Sequence, residues 1–89
     1  MTLILSVKYH TYWGESIGLI LEGSEQVLPL TYVDADNWQI ELDCQQATTI
    51  KYHYVVCRNN EQIRKEWGEA HTLHIKKEVN SCRVFDTWN

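Results

Sequence analysis

The stretch NWQIELD, residues 37–43, alternates apolar and polar side chains without a break. Successive side chains of an extended strand point to opposite faces, so this pattern predicts an antiparallel strand with one face buried. The stretch IKYHYVV, residues 50–56, repeats the alternation with aromatic and β-branched residues, which suit a pleated surface. These two stretches indicate a β-sheet protein.

Shorter runs of the same kind occur along the rest of the chain, at residues 3–9, 17–21, 63–67, 73–75 and 82–85. Turn-forming residues separate them, and Asn59-Asn60 is a candidate two-residue hairpin loop because Asn tolerates positive φ. No long window has the i, i+3, i+4, i+7 pattern of an amphipathic helix. The spacing predicts an all-β fold, an immunoglobulin-like antiparallel β-sandwich of seven to eight strands.

The length of 89 residues, with 44% hydrophobic residues, predicts one globular domain that spans residues 1–89. We find no linker, repeat or low-complexity segment. The chain starts in a predicted strand and stops just after one, as expected of a domain excised from a longer enzyme, although a small complete protein has the same pattern. The apolar start lacks the basic segment of a signal peptide, and no apolar run approaches the roughly 20 residues of a membrane span. We therefore expect no membrane partner.

The net charge and the cysteines limit which partners and which cellular compartment are expected. The formal net charge is −4 and no basic stripe is present, so nucleic acid is not an expected partner. Cys44, Cys57 and Cys82 cannot all pair within one chain, and none belongs to a CxxC unit. One interpretation is three buried free thiols in a reducing, cytoplasmic environment, and the other is one disulfide with a spare thiol.

No motif for catalysis, a metal or a cofactor is recognisable. Glu66 and Glu69 are the nearest approach to a glycosidase pair, but a chain of this size lacks the cleft such a pair needs. His71 and His74 are three residues apart, so on a strand they face opposite sides and do not converge on one metal. We expect no catalytic residue, no metal and no cofactor in this chain.

The aromatic residues are the remaining candidates for function. Trp13 and Trp67 are each followed by glycine in polar surroundings, where burial of an indole is hard to arrange. Exposed binding rings are one interpretation, and partial packing in the core is the other. Trp38 alternates with core-type residues and Trp88 follows the last strand, so both are predicted to pack in the sandwich.

Taken in chain order, these segments resemble the starch-binding domains of carbohydrate-binding module family 20. The resemblance runs through YWGESIGLILEGS (12–24), NWQIELD (37–43), IKYHYVV (50–56), KEWG (65–68) and VFDTW (84–88). It implies an antiparallel sandwich with two separate glucan sites. In each, an aromatic ring stacks on the apolar face of a glucose ring while polar side chains bind its hydroxyl groups.

Carried over by position, the resemblance implies that Trp67 is the stacking residue of the first site. His53 then stands where the family has a hydrogen-bonding Lys. Trp13 and Tyr32 correspond to the aromatic residues of the second site. The chain also departs from the family: the Leu-Gly-x-Trp loop that normally follows Gly-Ser, with the first site's other Trp, is missing after Ser24.

The segments VKYHTYWGESI (7–17) and KEWGEAHTL (65–73) most closely resemble the N-terminal modules of 4-α-glucanotransferases of glycoside hydrolase family 77. This implies a non-catalytic, cytoplasmic module whose partners are α-glucan (starch, glycogen or malto-oligosaccharide) and the catalytic domain of the same chain. The alternative is a structural sandwich that packs on another domain and whose sugar sites are degenerate. An exposed apolar patch around Leu28, Leu30 and Tyr32 would favour the alternative.

Overall fold

The computed structural model of the protein describes residues 1–45 and 48–88, which form nine β-strands and no helix. The strands are β1 (Thr2–Lys8), β2 (Glu15–Leu21), β3 (Leu28–Pro29), β4 (Thr31–Asp34), β5 (Asn37–Asp43), β6 (Thr48–Arg58), β7 (Glu61–Lys65), β8 (His71–Ile75) and β9 (Ser81–Thr87). The predicted all-β sandwich is confirmed. The strand number exceeds the prediction because the chain between β2 and β5 contributes two short strands.

The strands form two sheets, one ordered β4-β5-β1-β9 and the other β3-β2-β6-β7, with β8 pairing β6 as well. β1 and β9 pair in parallel, whereas the other strand pairs are antiparallel. The prediction was an antiparallel sandwich. The structure differs from it at one pair, because the first and last strands run in the same direction.

The core lies between the sheets, where the inward-facing residues of the central strands are buried, whereas all residues of β4 and β7 are exposed. Leu3, Leu5 and Val7 of β1 are buried, as the alternation predicts. Trp38 is also buried, in agreement with its predicted core position. Trp88 is half-buried, and its ring centroid lies 4.2 Å from that of Tyr9 at one edge of the core. The remaining fully enclosed side chains include Ile17, Leu19, Tyr52, Tyr54, Val55 and Val56.

Two tight turns require positive φ. Asn59 and Asn60, at φ 53° and 66°, form the predicted two-residue loop between β6 and β7. Ala35 and Asp36, at φ 45° and 66°, join β4 to β5 in the same way. Both central residues have the sign of φ found in type I′ turns, whose twist matches that of the flanking strands.

The three cysteines, Cys44, Cys57 and Cys82, are half-buried free thiols. Burial raises the pKa of the Cys44 and Cys57 thiols above the ordinary value, and the neighbouring Asp43 carboxylate raises that of Cys44 further. None of the described residues forms a helix long and apolar enough to cross a membrane.

Candidate functional site

Trp13 lies in the turn that leads into β2, and its side chain is 98% exposed. The Glu15 N–H donates to the Tyr12 carbonyl across the turn at 3.0 Å, and Gly14 has a φ of 86°, which favours glycine. The Glu15 carboxylate Oε1 accepts a 2.7 Å hydrogen bond from the Tyr12 N–H. Its Oε2 lies 3.4 Å from Arg58 Nη2, and the Glu15 side chain is buried. The backbone that carries Trp13 is thus tied to β2.

Tyr32 lies on β4, directly opposite Trp38 on β5. The two ring centroids are 5.3 Å apart at an interplanar angle of 70°, an edge-to-face arrangement that aromatic pairs prefer. The Tyr32 hydroxyl accepts a 3.3 Å hydrogen bond from the Asp36 N–H in the β4–β5 turn. Half of the Tyr32 side chain remains exposed. The ring is therefore fixed in place while part of it faces solvent.

The structure brings Trp13 and Tyr32 together, because both line one open depression of about 320 Å³. Tyr12, exposed beside Trp13, lines it too, as does Asp36. We name this depression the Trp13 surface; its other lining residues are Thr11, Gly14, Glu15 and Trp38. Three exposed aromatic rings next to a carboxylate can stack on apolar C–H faces and hydrogen-bond hydroxyl groups. Sequence reasoning missed Tyr12, although its position next to Trp13 was a usable signal.

His53 lies on β6, on the outer face of the second sheet. Its neighbours Tyr52 and Tyr54 point into the core. It lines a second depression, of about 550 Å³, which we name the His53 pocket. The other residues that line it are Ile20, Leu21, Glu22, Gly23, Ser24, Lys51, Lys65, Glu69, Ala70 and Thr72. Lysine and glutamate side chains give this pocket both signs of charge, which suits it to hydrogen bonding with polar ligands.

Trp67 lies beside the His53 pocket without lining it. His53 Nε2 is 3.4 Å from the carbonyl oxygen of Gly68, so the turn that carries Trp67 borders the pocket. The Trp67 side chain is 86% exposed, and Lys65 is the β7 residue that lines the pocket. None of the described lining residues carries an aromatic ring besides the His53 imidazole. Ser24, after which the resembled family has its additional Trp loop, also lines the pocket.

Glu66 and Glu69, the pair weighed for glycoside hydrolysis, have different environments. Glu66 is buried, and its Oε1 accepts a 2.7 Å hydrogen bond from the Tyr54 N–H. Its Oε2 lies 2.8 Å from Nε2 of His71. Glu69 is exposed and lines the His53 pocket. The Glu66 carboxylate is thus engaged in an internal network that the sequence did not reveal.

Asp86 extends this network across the core. Its Oδ2 accepts hydrogen bonds of 2.7 Å from the hydroxyl groups of Tyr52 and Tyr54. Burial, followed by the bonds to Asp86, raises the pKa of both tyrosines far above the ordinary value. His71 stacks on Tyr52 with ring centroids 5.3 Å apart, and its Nδ1 lies 3.6 Å from Asp86 Oδ1.

The histidines of β8 point apart, as expected from their spacing. His71 belongs to the buried network, whereas the exposed His74 shares a 2.9 Å hydrogen bond with the Thr49 hydroxyl. Among residues 1–45 and 48–88, no group of three or more His, Cys, Asp or Glu side chains is arranged to hold a metal ion.

No protein-family model matches the chain, and no curated protein matches it in sequence. Solved structures do match. A family 15 glycoside hydrolase, the glucoamylase of Hypocrea jecorina, has a TM-score of 0.90 at 15% identity over 99% of this chain and 17% of its own. The gamma-CGTase of alkalophilic Bacillus clarkii has a TM-score of 0.85 at 15% identity over 99% of this chain and 15% of its own.

A third solved structure is a single module. The family 20 CBM (carbohydrate-binding module) of the maltotetraose-forming amylase of Pseudomonas saccharophila has a TM-score of 0.72 at 9% identity. The match covers 94% of this chain and 100% of that one. At these identities the similarities show the fold: the chain has the sandwich of a family 20 CBM. It spans only a small part of the glucoamylase and of the gamma-CGTase.

Proposed function

We propose that this chain is a non-catalytic module that binds starch and related α-1,4-glucans. The observation that carries the proposal is the Trp13 surface, where Trp13 and Tyr32 share one open depression on a sandwich like that of a family 20 CBM. The resemblance of residues 12–24, 37–43 and 65–68 to starch-binding domains supports the same ligand class.

The chemistry of the Trp13 surface suits an oligosaccharide. A glucose ring has an apolar face of C–H groups, and exposed aromatic rings cover that face without a deep pocket. Each aromatic side chain offers roughly 150–250 Å² of surface, so two or three rings are enough to anchor a ligand. Asp36 lines the same depression, and its carboxylate is a group that can accept hydrogen bonds from sugar hydroxyl groups.

The His53 pocket and Trp67 form the second, weaker binding region in this proposal. The pocket offers His53, Lys51 and Lys65 as hydrogen-bonding groups, but no indole or phenol ring lines it among the described residues. Trp67 lies next to it and is free to stack on a ligand that extends beyond the pocket. We therefore assign the larger share of glucan affinity to the Trp13 surface.

The parent protein in this proposal is a cytoplasmic 4-α-glucanotransferase, with the module joined to its catalytic domain. The support is the resemblance of residues 7–17 and 65–73 to modules of that enzyme family, together with the free thiols of Cys44, Cys57 and Cys82. Reading the coding region that follows Asn89 tests this directly. A frame that leads into a glucanotransferase barrel supports the parent enzyme, and a frame that leads into another catalytic domain contradicts it.

One observation favours a second candidate, a sandwich that packs on another domain. Phe85 on β9 is 74% exposed, and with Val33 it lines a depression of about 180 Å³ on the outer face of the first sheet. Contiguous exposed apolar patches are typical of contact surfaces, whereas the other residues of this depression are polar, so Phe85 and Val33 support this candidate less than the Trp13 surface supports glucan binding. The patch around Leu28, Leu30 and Tyr32 is not exposed as a unit, because Leu30 is buried and Leu28 is half-buried.

Sedimentation with insoluble starch tests the proposed binding. We expect the chain to co-sediment, and Trp13→Ala to weaken the binding more than Trp67→Ala does, because only Trp13 lies in a depression with other aromatic rings. Phe85→Ser, on the other sheet face, is the matched control and should bind as the native chain does. A native chain that stays in solution, or a loss of binding only in Phe85→Ser, overturns the proposal.

A further inference from the structure

The two fully exposed tryptophans share a local design. Trp13 and Trp67 each precede a glycine at positive φ, with Gly14 at 86° and Gly68 at 79°. Side chains at these glycines would meet no other atoms, so backbone conformation and not space is the reason for glycine there. Next to each Trp-Gly pair stands one glutamate, Glu15 or Glu66, whose side chain is almost wholly buried.

Glu15 closes the first of these turns. Its Oε1 accepts the 2.7 Å hydrogen bond from the Tyr12 N–H, while its own N–H donates to the Tyr12 carbonyl at 3.0 Å. The two bonds form a ring that encloses Trp13 and Gly14. Arg58 of β6, 3.4 Å from Oε2, faces the outer carboxylate oxygen, so the closed turn is joined to the second sheet.

Glu66 holds the second turn at its start. Its N–H donates to the Tyr54 carbonyl at 3.2 Å, and its carboxylate accepts the Tyr54 N–H at 2.7 Å. The Glu66 carboxylate thus replaces the backbone carbonyl of Glu66 itself, which would accept the Tyr54 N–H in a regular antiparallel ladder. His71 Nε2, 2.8 Å from Oε2, holds the carboxylate, and the chain leaves the sheet at Trp67.

A buried carboxylate is costly, so its placement calls for strong partners. Hydrogen bonds between backbone N–H groups and ionised carboxylates are shorter and stronger than neutral ones. In this chain such hydrogen bonds fix the backbone next to the two exposed tryptophans. We propose that Glu15 and Glu66 are positioning residues, each of which orders one tryptophan for ligand binding independently of the other. The inference rests on the proposed glucan binding, and it adds that the two rings are ordered by different residues.

The order of each ring can be measured without any glucan. In the ¹⁵N-labelled chain, the heteronuclear NOE of each indole Nε1–H reports its motion on the picosecond to nanosecond scale. We expect Glu15→Ala to lower the value for Trp13 and leave that for Trp67 unchanged. Glu66→Ala should do the reverse, with Glu66→Gln as the milder variant if the alanine variant does not fold. Glu78→Ala, which changes an exposed glutamate in the turn between β8 and β9, is the matched control and should alter neither ring.

Glucan affinity provides the second readout. In a Trp67→Ala background, where the Trp13 surface remains, Glu15→Ala should weaken maltoheptaose binding by about tenfold, equivalent to about 1.4 kcal/mol. Glu66→Ala or Glu66→Gln should have no such effect in that background. The inference is overturned if each glutamate variant alters both rings equally, or if neither alters its own ring. If the ring motions follow the expectation but the native chain binds no glucan, the proposed function fails and the positioning role stands.

Discussion

Tyr32 and Trp38 face each other across β4 and β5, with their ring centroids 5.3 Å apart at 70°. One of the two rings is buried and the other is half exposed, so the pair joins the core directly to the Trp13 surface. The edge-to-face contact holds Tyr32 without covering it. A ring that is already fixed loses little conformational entropy when a sugar stacks on it.

Removal of the Tyr32 ring should therefore weaken glucan binding. We expect Tyr32→Ala to lower maltoheptaose affinity by about tenfold, since burial of about 55 Å² of apolar surface between the ring and the sugar contributes roughly 1.4 kcal/mol. Tyr32→Phe keeps the ring and loses only the hydroxyl that accepts the Asp36 N–H, so its affinity should stay within about threefold of the native value. Isothermal titration calorimetry measures both variants. Equal losses in the two variants would contradict a stacking role for the ring.

The buried tyrosines should make the fold sensitive to alkaline pH. Burial and the bonds to Asp86 raise the pKa of Tyr52 and Tyr54, so the native state keeps two protons that the unfolded chain releases above about pH 10. The contribution of these two groups to stability should be fully present and independent of pH below about pH 10, and should be lost as the pH rises above it. Urea denaturation at pH 8 and pH 11 measures the change.

The double variant Tyr52→Phe/Tyr54→Phe provides the comparison. It should be less stable than the native chain at pH 8, because Asp86 loses two hydrogen-bond donors, but its stability should fall less between pH 8 and pH 11. Tyr12→Phe, which changes an exposed tyrosine, should retain the native pH dependence. If the double variant loses as much stability between pH 8 and pH 11 as the native chain does, groups other than Tyr52 and Tyr54 cause that loss.

Gly18 on β2 should tolerate no side chain. A Cβ there would overlap Val27 Cγ1 and would lie 3.3 Å from Cγ2 of Val55. We expect Gly18→Ala to lower the free energy of unfolding by about 1–3 kcal/mol, the usual cost of overpacking. The second change Val27→Ala removes the overlapping methyl group and should recover part of the loss, as measured by urea denaturation. If Gly18→Ala is as stable as the native chain, the close packing of residue 27 on β2 is wrong.

The His53 pocket should gain affinity from an added ring. Ser24 lines the pocket, and no indole or phenol group does so among the residues that the structure describes. In a Trp13→Ala background, Ser24→Trp should increase maltoheptaose affinity by about tenfold through stacking. Ser24→Ala is the matched control, because both changes remove the hydroxyl that accepts the Gln26 N–H. Unchanged or weaker binding by Ser24→Trp would show that the pocket does not hold a glucose unit.

The sequence predicted most of the fold because alternation in a two-layer sandwich is set by which face is buried. The residues 37–43 and 50–56 form β5 and β6 as expected, and the Asn59-Asn60 loop joins β6 to β7. The strand that includes Pro29 was not predicted, because two paired residues leave no alternation to detect. Nor does alternation along one strand reveal the direction of its neighbour, so the parallel pairing of β1 and β9 was missed.

The candidate site was less accessible to sequence reasoning. Trp13 and Tyr32 are 19 positions apart, and only resemblance placed them in one site before the structure showed them lining one depression. Trp67 does not line the His53 pocket, because β7 ends at Lys65 and the indole follows on the exposed turn beyond it. The partners of Glu66 lie on other strands, so local sequence patterns do not reveal that its carboxylate is buried.

Glucan binding at the Trp13 surface can be tested by titrating the ¹⁵N-labelled chain with maltoheptaose to millimolar concentration while amide and indole chemical shifts are recorded. We expect progressive shifts of the Trp13 indole N–H and of the Tyr32 and Asp36 amides, with smaller shifts at His53 and Gly68. Saturating shifts confined to β9 around Phe85, or no shift at any of these residues, would contradict glucan binding at the Trp13 surface.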